Sequence, residues 1–265
     1  MKRLLLLLLI AIIPAATVFA ADQHEKTVDR VDKSGKIIEQ IMAAPDSGIP
    51  DNIFSSAKCI AVVPSLLHAG FAFGGSYGKG VASCRTDKGW SAPAFFTIRG
   101  GSFGLQIGGE AIDLIMVVMN DDGMKNLLSS KFELGASASA AAGPVGRHAS
   151  GDTDWQMRAQ ILTYSRARGI FAGLDLKGSV VTQGKDETRA FYGRMVPFPT
   201  ILNGNVASPD TAKPFLTALA KYGDGKPATA PPPAKPAATT TPEKAPAAAQ
   251  TPTHAQPPAQ ASGGE

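Results

Sequence analysis

The sequence predicts an α+β fold in which a curled, mostly antiparallel sheet, barrel-like or sandwiched, is flanked by helices at both ends. The first observation is strict alternation at a strand's period of two in residues 70–85. The second is a similar alternation in residues 100–110, where one face carries Phe103, Leu105 and Ile107 and the other carries Gly100, Ser102, Gly104, Gln106 and Gly108. The third is helical periodicity at residues 24–44 and 208–222, before and after the strands.

Residues 70–85 have two unlike faces. One face carries Phe71, Phe73, Tyr77, Lys79 and Val81, whereas the other carries nothing larger than Cys84. An interior glycine costs roughly 0.5–1 kcal/mol relative to alanine, so a strand this rich in glycine needs a compensating interaction. We therefore expect another layer of the protein to pack closely on the small face.

The first twenty residues have the pattern of a secretory signal peptide. Lys2 and Arg3 precede an apolar run, and Val18-Phe19-Ala20 supplies compact residues at the cleavage position. The apolar run is shorter than a membrane-spanning helix requires. We expect residues 1–20 to be removed on export across the inner membrane, and the mature protein to be periplasmic or envelope-associated and not transmembrane.

The helical segment at residues 24–44 has an apolar side and a polar side on which acidic and basic residues balance. Two interpretations are open, a helix packed on the body of the domain and a helix that touches a membrane. A membrane-surface helix usually has a strongly basic polar face. The balanced charge therefore favours packing on the body.

Proline marks the ends of the next two elements. Pro50 opens a short helix that extends to about Ala57, because proline is favourable in a first helical turn. An apolar strand at residues 59–63 is predicted to end at Pro64, which lacks the N–H that a ladder needs. Residues 65–69 are predicted to be a connector.

A hairpin turn and two strands follow the glycine-rich segment. Thr86-Asp87-Lys88-Gly89 has the composition of a tight turn, and Pro93 indicates an edge or bulge in the strand at residues 90–98. Residues 111–119 are apolar on both faces, which is typical of a central strand.

Asp113 interrupts that central strand. A carboxylate there must be paired, hydrogen-bonded or protonated, and Lys79, Arg99 and Lys177 are the cations considered as partners. Two interpretations are open, a structural ion pair and a pocket for a lipid headgroup.

The second half of the chain is predicted to add a helix at residues 121–131, a small-residue strand at 132–143, a hairpin around Ala167-Arg168, a helix at 185–192, an irregular segment at 196–202 and the last helix. From residue 226 onward the composition changes, and half of the 20 prolines lie there without any aromatic residue. Such a segment cannot bury enough apolar surface to fold. We expect one domain at residues 21–225 and a disordered tail at 226–265.

Charge and cysteine content limit the function classes. The formal net charge of +4 falls to +2 once Lys2 and Arg3 are removed, which argues against nucleic acid as a partner. Cys59 and Cys84 either form a disulfide, worth about 3–4 kcal/mol in the chain-entropy model, or remain free thiols in neighbouring strands. Two cysteines without a histidine cluster do not predict a metal site, and no cofactor is expected.

Gly74-Gly75-Ser76-Tyr77-Gly78 matches the G-x-S-x-G pattern of serine hydrolases. That pattern needs a strand, a sharp turn and a helix, whereas the residues after Ser76 continue to alternate like a strand. A hydrolase that uses Ser76 is therefore only a remote alternative.

The order of motifs along the body resembles the SYLF domain. The motifs are Ala57-Lys58-Cys59-Ile60-Ala61-Val62-Val63-Pro64, the glycine-rich segment, Gly89-Trp90-Ser91-Ala92-Pro93, Gly104-Leu105-Gln106-Ile107-Gly108, Asp113-Leu114-Ile115-Met116-Val117-Val118, Ala142-Gly143-Pro144-Val145-Gly146, Tyr164-Ser165 and Tyr192-Gly193. The resemblance implies a bacterial secreted member of a lipid-binding family that binds phospholipid or another anionic lipid surface without catalysis. Yeast relatives are described as actin-binding, a property not expected of a secreted bacterial chain.

The residues predicted to contact lipid are Lys79, Tyr77, Phe71, Phe73, Trp90, Arg99 and Lys177. The apolar members of this set equally suit a protein core, and the basic members equally suit a solvated rim. The alternative function is an envelope structural or host-interaction protein without a lipid ligand.

Overall fold

The computed structural model describes residues 2–44, 48–129, 131–144, 159–167, 170–172, 176 and 178–223. The helices are α1 (Lys2–Ala43), α2 (Asp51–Ser56), α3 (Asp121–Leu128), α4 (Lys185–Tyr192), α5 (Phe198–Leu202) and α6 (Lys213–Gly223), with a 3₁₀ turn at Asp210–Ala212. The strands are β1 (Cys59–Thr86), β2 (Gly89–Trp90), β3 (Ala94–Val118), β4 (Lys131–Glu133), β5 (Ala140–Ala142), β6 (Ile161–Ala167), β7 (Ile170–Ala172) and β8 (Val180–Gln183).

Within the described ranges these eight strands form one sheet. The strand order is β2-β1-β3-β6-β5. In addition, β8 pairs with both β3 and β4, and β7 pairs with β6. All pairs are antiparallel except β5 with β6. The predicted α+β fold, with a curled and mostly antiparallel sheet flanked by helices from both ends of the chain, is confirmed.

Strands β1 and β3 form a long ribbon that doubles back on itself. They pair from Cys59 opposite Val118 to Ala82 opposite Ala94. A straight strand of 28 residues would be about 90 Å long. Instead a disulfide joins Cys59 to Cys84, with their Cα atoms 3.9 Å apart. The two halves of β1 therefore lie against each other as two layers.

The small face of β1 makes this close approach possible. A Cβ atom built on Gly78 would lie 2.8 Å from Cδ1 of Leu66. One built on Gly80 would lie 2.6 Å from the carbonyl oxygen of Val62. The predicted second layer is thus present, and it is the first half of the same strand.

Pro64 does not end the first strand, so the predicted connector at residues 65–69 is wrong. The chain passes through an irregularity between Val63 and Leu66, where Ser65 has a φ of 56°, and pairing then resumes. The backbone N–H of Ser65 donates to Oδ1 of Asp113 at 3.1 Å. This bond supplies the acceptor that the interrupted ladder no longer provides.

The single strand predicted at residues 132–143 is wrong, because this segment forms two short strands, β4 and β5, with a turn at residues 135–137 between them. Several other local predictions agree with the structure. The hairpin turn pairs Thr86 with Gly89, α4 has the predicted bounds, and Asn120 caps α3 by accepting from the backbone N–H of Gly123 at 2.9 Å. The segment predicted to be irregular at residues 196–202 instead contains α5, a short helix with three buried apolar side chains.

Two groups of buried apolar side chains cover the two faces of the sheet. The inner group lies between the halves of the ribbon and beneath α5, and includes Cys59, Ala61, Val63, Leu66, Cys84, Phe96, Leu114 and Ile201. The outer group lies beneath α1, α2, α4 and α6, and includes Val31, Ile38, Ile41, Phe54, Ile60, Val81, Phe95, Phe191 and Phe215.

Helix α1 packs on the body of the domain. Val31, Ile38 and Ile41 of this helix are at most 1% exposed, and a Cβ atom on Gly35 would lie 3.0 Å from the carbonyl oxygen of Pro214. Of the two interpretations of this segment, the structure shows packing on the body. The helix also includes residues 2–20, whose removal on export stays a prediction. Among the helices of the described residues, none combines the length and the apolar character needed to cross a membrane.

Candidate functional site

Three of four adjacent strands present a cationic side chain on the outer face of the sheet. The register places Tyr77 opposite Arg99, Arg99 opposite Val180 and Val180 opposite Glu133. The neighbouring row runs Lys79, Thr97, Thr182, Lys131. Directly opposed residues of antiparallel strands share one face. We call this surface, which carries Lys79, Arg99 and Lys131 and one carboxylate, that of Glu133, the basic face.

Lys79 is held in an ion pair at one side of the basic face. Its Nζ donates to Oε1 of Glu187 on α4, whose side chain is only 10% exposed. Burial opposes ionisation of Glu187, but the hydrogen bond from Lys79 and the charges of Lys79 and Arg30 outweigh it and lower the pKa of this carboxyl. Burial in turn lowers the pKa of Arg30, whose Nη1 is buried. These three charged residues therefore link α1 and α4 to β1.

Substituting Glu187→Gln should make the stability of the protein less dependent on pH in the acidic range. Because the folded-state pKa of Glu187 is lowered, its ionised form contributes stability above the unfolded-state pKa, and this contribution is lost as pH falls through the folded-state pKa. We expect the wild type to lose more stability than the variant between neutral and acidic pH, as measured by urea unfolding at several pH values. Parallel losses in both proteins would contradict this role of Glu187.

Arg99 and Tyr77 form an exposed cation–π pair. The guanidinium carbon of Arg99 lies 5.5 Å from the centre of the Tyr77 ring, and Tyr77 is 40% exposed. Such a contact at an exposed site contributes about 0.5–1 kcal/mol. Among the described residues, Arg99 forms no ion pair with a carboxylate, so its positive charge is not neutralised.

Beside this pair lies an open groove of about 500 Å³ between β3, β4 and β8. It is lined by Arg99, Gly100, Gly101, Lys131, Gly178, Val180 and Thr182. Lys131 is exposed and, like Arg99, forms no ion pair with any described residue. The groove therefore has two cations that no carboxylate of the described chain neutralises.

Trp90 lies at the junction of α2 and α6 and lines a different groove. The guanidinium carbon of Arg85 lies 4.7 Å from the centre of the Trp90 ring, and Arg85 donates to the carbonyl oxygens of Ala57 at 2.9 Å and Gly223 at 2.6 Å. A Cβ atom on Gly223 would lie 2.9 Å from the indole ring. Trp90 and Arg85 therefore pack against the C-terminal ends of α2 and α6. The groove of about 570 Å³ beside them is lined by Trp90, Lys88, Asn205 and Val206 among others.

Asp113 is paired with Arg166, a residue that the sequence did not indicate. Nη2 of Arg166, in β6, donates to Oδ2 of Asp113 at 2.6 Å, and the two residues are directly opposed in the register. Arg166 also donates to Gln40 of α1. Neither of the cations suggested on β1 and β3 is the partner, because Lys79 bonds to Glu187 and Arg99 lies over Tyr77.

Three further residues predicted to contact lipid are Phe71, Phe73 and Lys177. Phe71 and Phe73 lie in β1, with Phe73 opposite Phe103, and the structure describes their backbone only. Lys177 lies outside the described residues. Ser76 lies inside the continuous strand β1, opposite Gly100, so the turn and helix that the G-x-S-x-G pattern needs do not follow it. No three His, Cys, Asp or Glu side chains of the described ranges are grouped to hold a metal ion.

Residues 99–222 match the family model described as "Ysc84: Las17-binding protein actin regulator". The chain belongs to the Ysc84, or SYLF-domain, family. It is 34% identical over 197 residues to an SH3 domain-containing protein of Schizosaccharomyces pombe, an alignment that covers 71% of this chain and 45% of that protein.

Two further relatives have similar sequence identity to this chain. SH3 domain-containing YSC84-like protein 1 of Mus musculus is 32% identical over 197 residues, covering 72% of this chain and 58% of the relative. LAS seventeen-binding protein 3 of Saccharomyces cerevisiae is 32% identical over 178 residues, an alignment that covers 66% of this chain and 39% of that protein. The chain thus aligns with about half the length of these SYLF relatives, whose names describe binding proteins or SH3-containing proteins.

The part that matches the family model includes most of the basic face. Arg99 is its first residue, and Lys131, Thr182 and Glu187 all lie within it. Lys131 and Glu187 were not predicted from the sequence as functional residues. No local signal marks them, because only the pairing of β8 with both β3 and β4 brings Lys131 to Arg99 in the folded SYLF domain.

Proposed function

We propose that this protein is exported across the inner membrane and binds phospholipid, without catalysis, at a surface of the cell envelope. The observation that carries the proposal is the basic face, where Arg99 and Lys131 are exposed without a carboxylate partner in the described chain, beside the exposed ring of Tyr77. Each cation near an anionic lipid surface contributes about 1 kcal/mol of attraction.

The N-terminal sequence supports export, since Lys2 and Arg3 precede an apolar run and small residues at a cleavage position. The absence of catalysis is supported by the strand geometry at Ser76 and by the names of the relatives, which describe binding.

A protein partner is the second candidate, because relatives are named as Las17-binding proteins. In this alternative the protein has an envelope structural or host-interaction role and no lipid ligand. The same basic face would then contact an acidic protein surface.

Co-sedimentation with vesicles tests the proposal. The purified protein should be retained on phosphatidylcholine vesicles that contain acidic lipid, released at high salt, and left in solution with phosphatidylcholine alone. Substituting Arg99→Gln together with Lys131→Gln should weaken retention about 30-fold, because two contributions of about 1 kcal/mol are removed.

The matched control is Lys36→Gln with Lys125→Gln, which removes the same charge from exposed positions on α1 and α3. This control should bind like the wild type. Retention on no vesicle would overturn the lipid proposal and favour a protein partner, whereas equal loss in both double variants would show that net charge alone, and not the basic face, determines binding.

A further inference from the structure

A second open groove lies between the β1–β2 hairpin and the loop at residues 204–208, and we call it the Trp90 groove. Its volume of about 570 Å³ is within the range of small-molecule sites, and it shares no lining residue with the groove on the basic face. We propose that the Trp90 groove binds an N-acetylated pyranose sugar, either in a soluble oligosaccharide or in a cell-wall polymer. Sugar binding itself does not depend on lipid binding, whereas access to a cell-wall polymer rests on the proposed export.

Trp90 supplies an aromatic surface whose position is fixed. The guanidinium carbon of Arg85 lies 4.7 Å from the centre of the ring, and Gly223 of α6 lies against the edge of the indole. The face of an aromatic ring carries partial negative charge. The C–H groups on one face of a pyranose ring carry partial positive charge. A sugar can therefore pack on the part of the indole that lines the groove.

The hairpin side of the Trp90 groove has its hydroxyl groups already bonded. Oγ1 of Thr86 donates to the carbonyl oxygen of Gly89 at 2.9 Å, and Oγ of Ser91 accepts from the backbone N–H of Cys84 at 3.0 Å. A Cβ atom on Gly204 would lie 2.9 Å from Cγ2 of Thr86, so glycine at this position lets the loop approach the hairpin closely. The shape of the groove is therefore set before a ligand binds, which lowers the entropic cost of binding.

The loop side of the groove has polar groups that are not used within the described chain. The side chains of Asn205 and Ser208 are exposed and form no hydrogen bond with another described residue. The backbone of Val206 and Ala207 forms none with the backbone of any other described residue. An amide side chain both donates and accepts hydrogen bonds, and so does a hydroxyl group. These groups match the hydroxyl groups of a sugar, which also donate and accept.

The remaining lining residues favour an N-acetylated sugar. Ala92, Val206 and Ala207 add small apolar groups beside the polar ones. An acetamido group combines a methyl group with one N–H donor and one carbonyl acceptor, so it can contact both kinds of lining. Of the described residues that line the groove, Lys88 is the one that carries a charge. A ligand with uncharged hydrogen-bonding groups therefore fits this lining better than a highly charged one.

Isothermal titration calorimetry with tri-N-acetylchitotriose and cellotriose tests the preference. The two trisaccharides have the same backbone and differ in one acetamido or hydroxyl group on each ring. We expect the acetylated trisaccharide to bind about tenfold more tightly, as one further hydrogen bond and a partly buried methyl group would give. Because this sugar is uncharged, its binding should not change with salt, unlike the retention expected on acidic vesicles.

Asn205→Ala together with Ser208→Ala is the decisive variant, because it removes two hydrogen-bonding side chains from the loop side of the groove. Both positions are exposed, so the variant should unfold at the urea midpoint of the wild type while binding of tri-N-acetylchitotriose falls about tenfold. The matched control is Asn52→Ala with Ser137→Ala, which removes the same side chains from exposed positions outside the groove. This control should bind like the wild type.

The fluorescence of Trp90 reports directly whether the groove is occupied. The sequence has 2 tryptophans, so Trp155→Phe leaves Trp90 as the single source of tryptophan emission. In this variant, tri-N-acetylchitotriose should change the emission with the affinity that calorimetry gives. Calorimetric binding without any change in Trp90 emission would place the sugar elsewhere and overturn the proposal.

Co-sedimentation with purified peptidoglycan separates the two sources of the sugar. Sedimentation that is reduced in the Asn205→Ala, Ser208→Ala variant would support the polymer. Binding of tri-N-acetylchitotriose without sedimentation would support the groove and assign it to soluble oligosaccharides. Binding of neither sugar source, equal binding of cellotriose, or binding that the double variant leaves unchanged would each overturn the proposal.

The outcomes also separate this inference from the proposed function. Salt-sensitive retention on acidic vesicles, with no binding of tri-N-acetylchitotriose or peptidoglycan, would overturn the sugar site and leave the proposed function standing. Sugar binding that the double variant weakens, without retention on any vesicle, would support the sugar site and overturn the proposed lipid binding.

Discussion

Replacing Cys59 and Cys84 together by alanine is expected to lower the free energy of unfolding by about 3–4 kcal/mol. The disulfide joins residues 25 apart in sequence, at the two ends of the single strand β1, and both side chains are fully buried. In the chain-entropy model the bond stabilises by restricting the unfolded chain. Here it also links the two layers of the sheet. Urea unfolding at equilibrium gives the difference directly.

A reductant provides the control for the cysteine variant. Reduction should lower the urea midpoint of the wild type towards that of the variant and leave the variant itself unchanged, because the variant has no disulfide to lose. The corresponding fall in melting temperature is about 10 °C for a domain of this size. If reduced and oxidised wild type unfolded at the same midpoint, the disulfide would not hold the ends of β1 together.

The alternation in residues 70–85 is local information, and it correctly predicted both a strand and a close layer on its small face. The identity of that layer was not predictable, because it depends on where the chain turns back and not on periodicity. The facing cysteines were the one long-range signal, and the sequence alone left open whether they pair. Once Cys59 is bonded to Cys84, the first half of β1 must lie on the second half.

Tertiary contacts overrode local rules at two places. Pro64 lacks an N–H, yet the strand continues because Asp113, from the opposite strand, accepts the N–H of Ser65 instead. Residues 198–202 contain proline and were predicted to be irregular, yet they form α5 because Phe198, Ile201 and Leu202 are buried there. Proline at the start of a helix is also locally compatible with the first turn.

The candidate site was predictable only in part. Arg99 and Tyr77 were both predicted to contact lipid, and the structure places them together. Lys131 lies in a strand of three residues, and only the pairing of that strand with β8 brings it near Arg99. Arg166 pairs with Asp113 across a register that no spacing in the sequence specifies. Charged partners on separate strands are fixed by topology, which pattern analysis does not supply.

The substitution Gly80→Ala should destabilise the protein by about 3 kcal/mol, although it adds a single methyl group. The new Cβ would lie 2.6 Å from the carbonyl oxygen of Val62 and would also overlap the ring of Phe96. Val62 is paired with Ile115 in the ladder, so its backbone cannot move away without disturbing hydrogen bonds of the sheet. The strain therefore cannot be relieved by a change of rotamer alone.

Gly75→Ala is the matched control, since Gly75 lies in the same strand and its new Cβ would meet only the carbonyl oxygen of Gly100, at an ordinary distance of 3.5 Å. This variant should be within about 0.5 kcal/mol of the wild type, or slightly more stable, because alanine restricts the unfolded chain more than glycine does. Urea unfolding of the two variants compares a crowded and an open position of one strand. Equal stability of Gly80→Ala and Gly75→Ala would contradict the crowding of position 80 by Val62, in the first half of β1, and by Phe96 of β3.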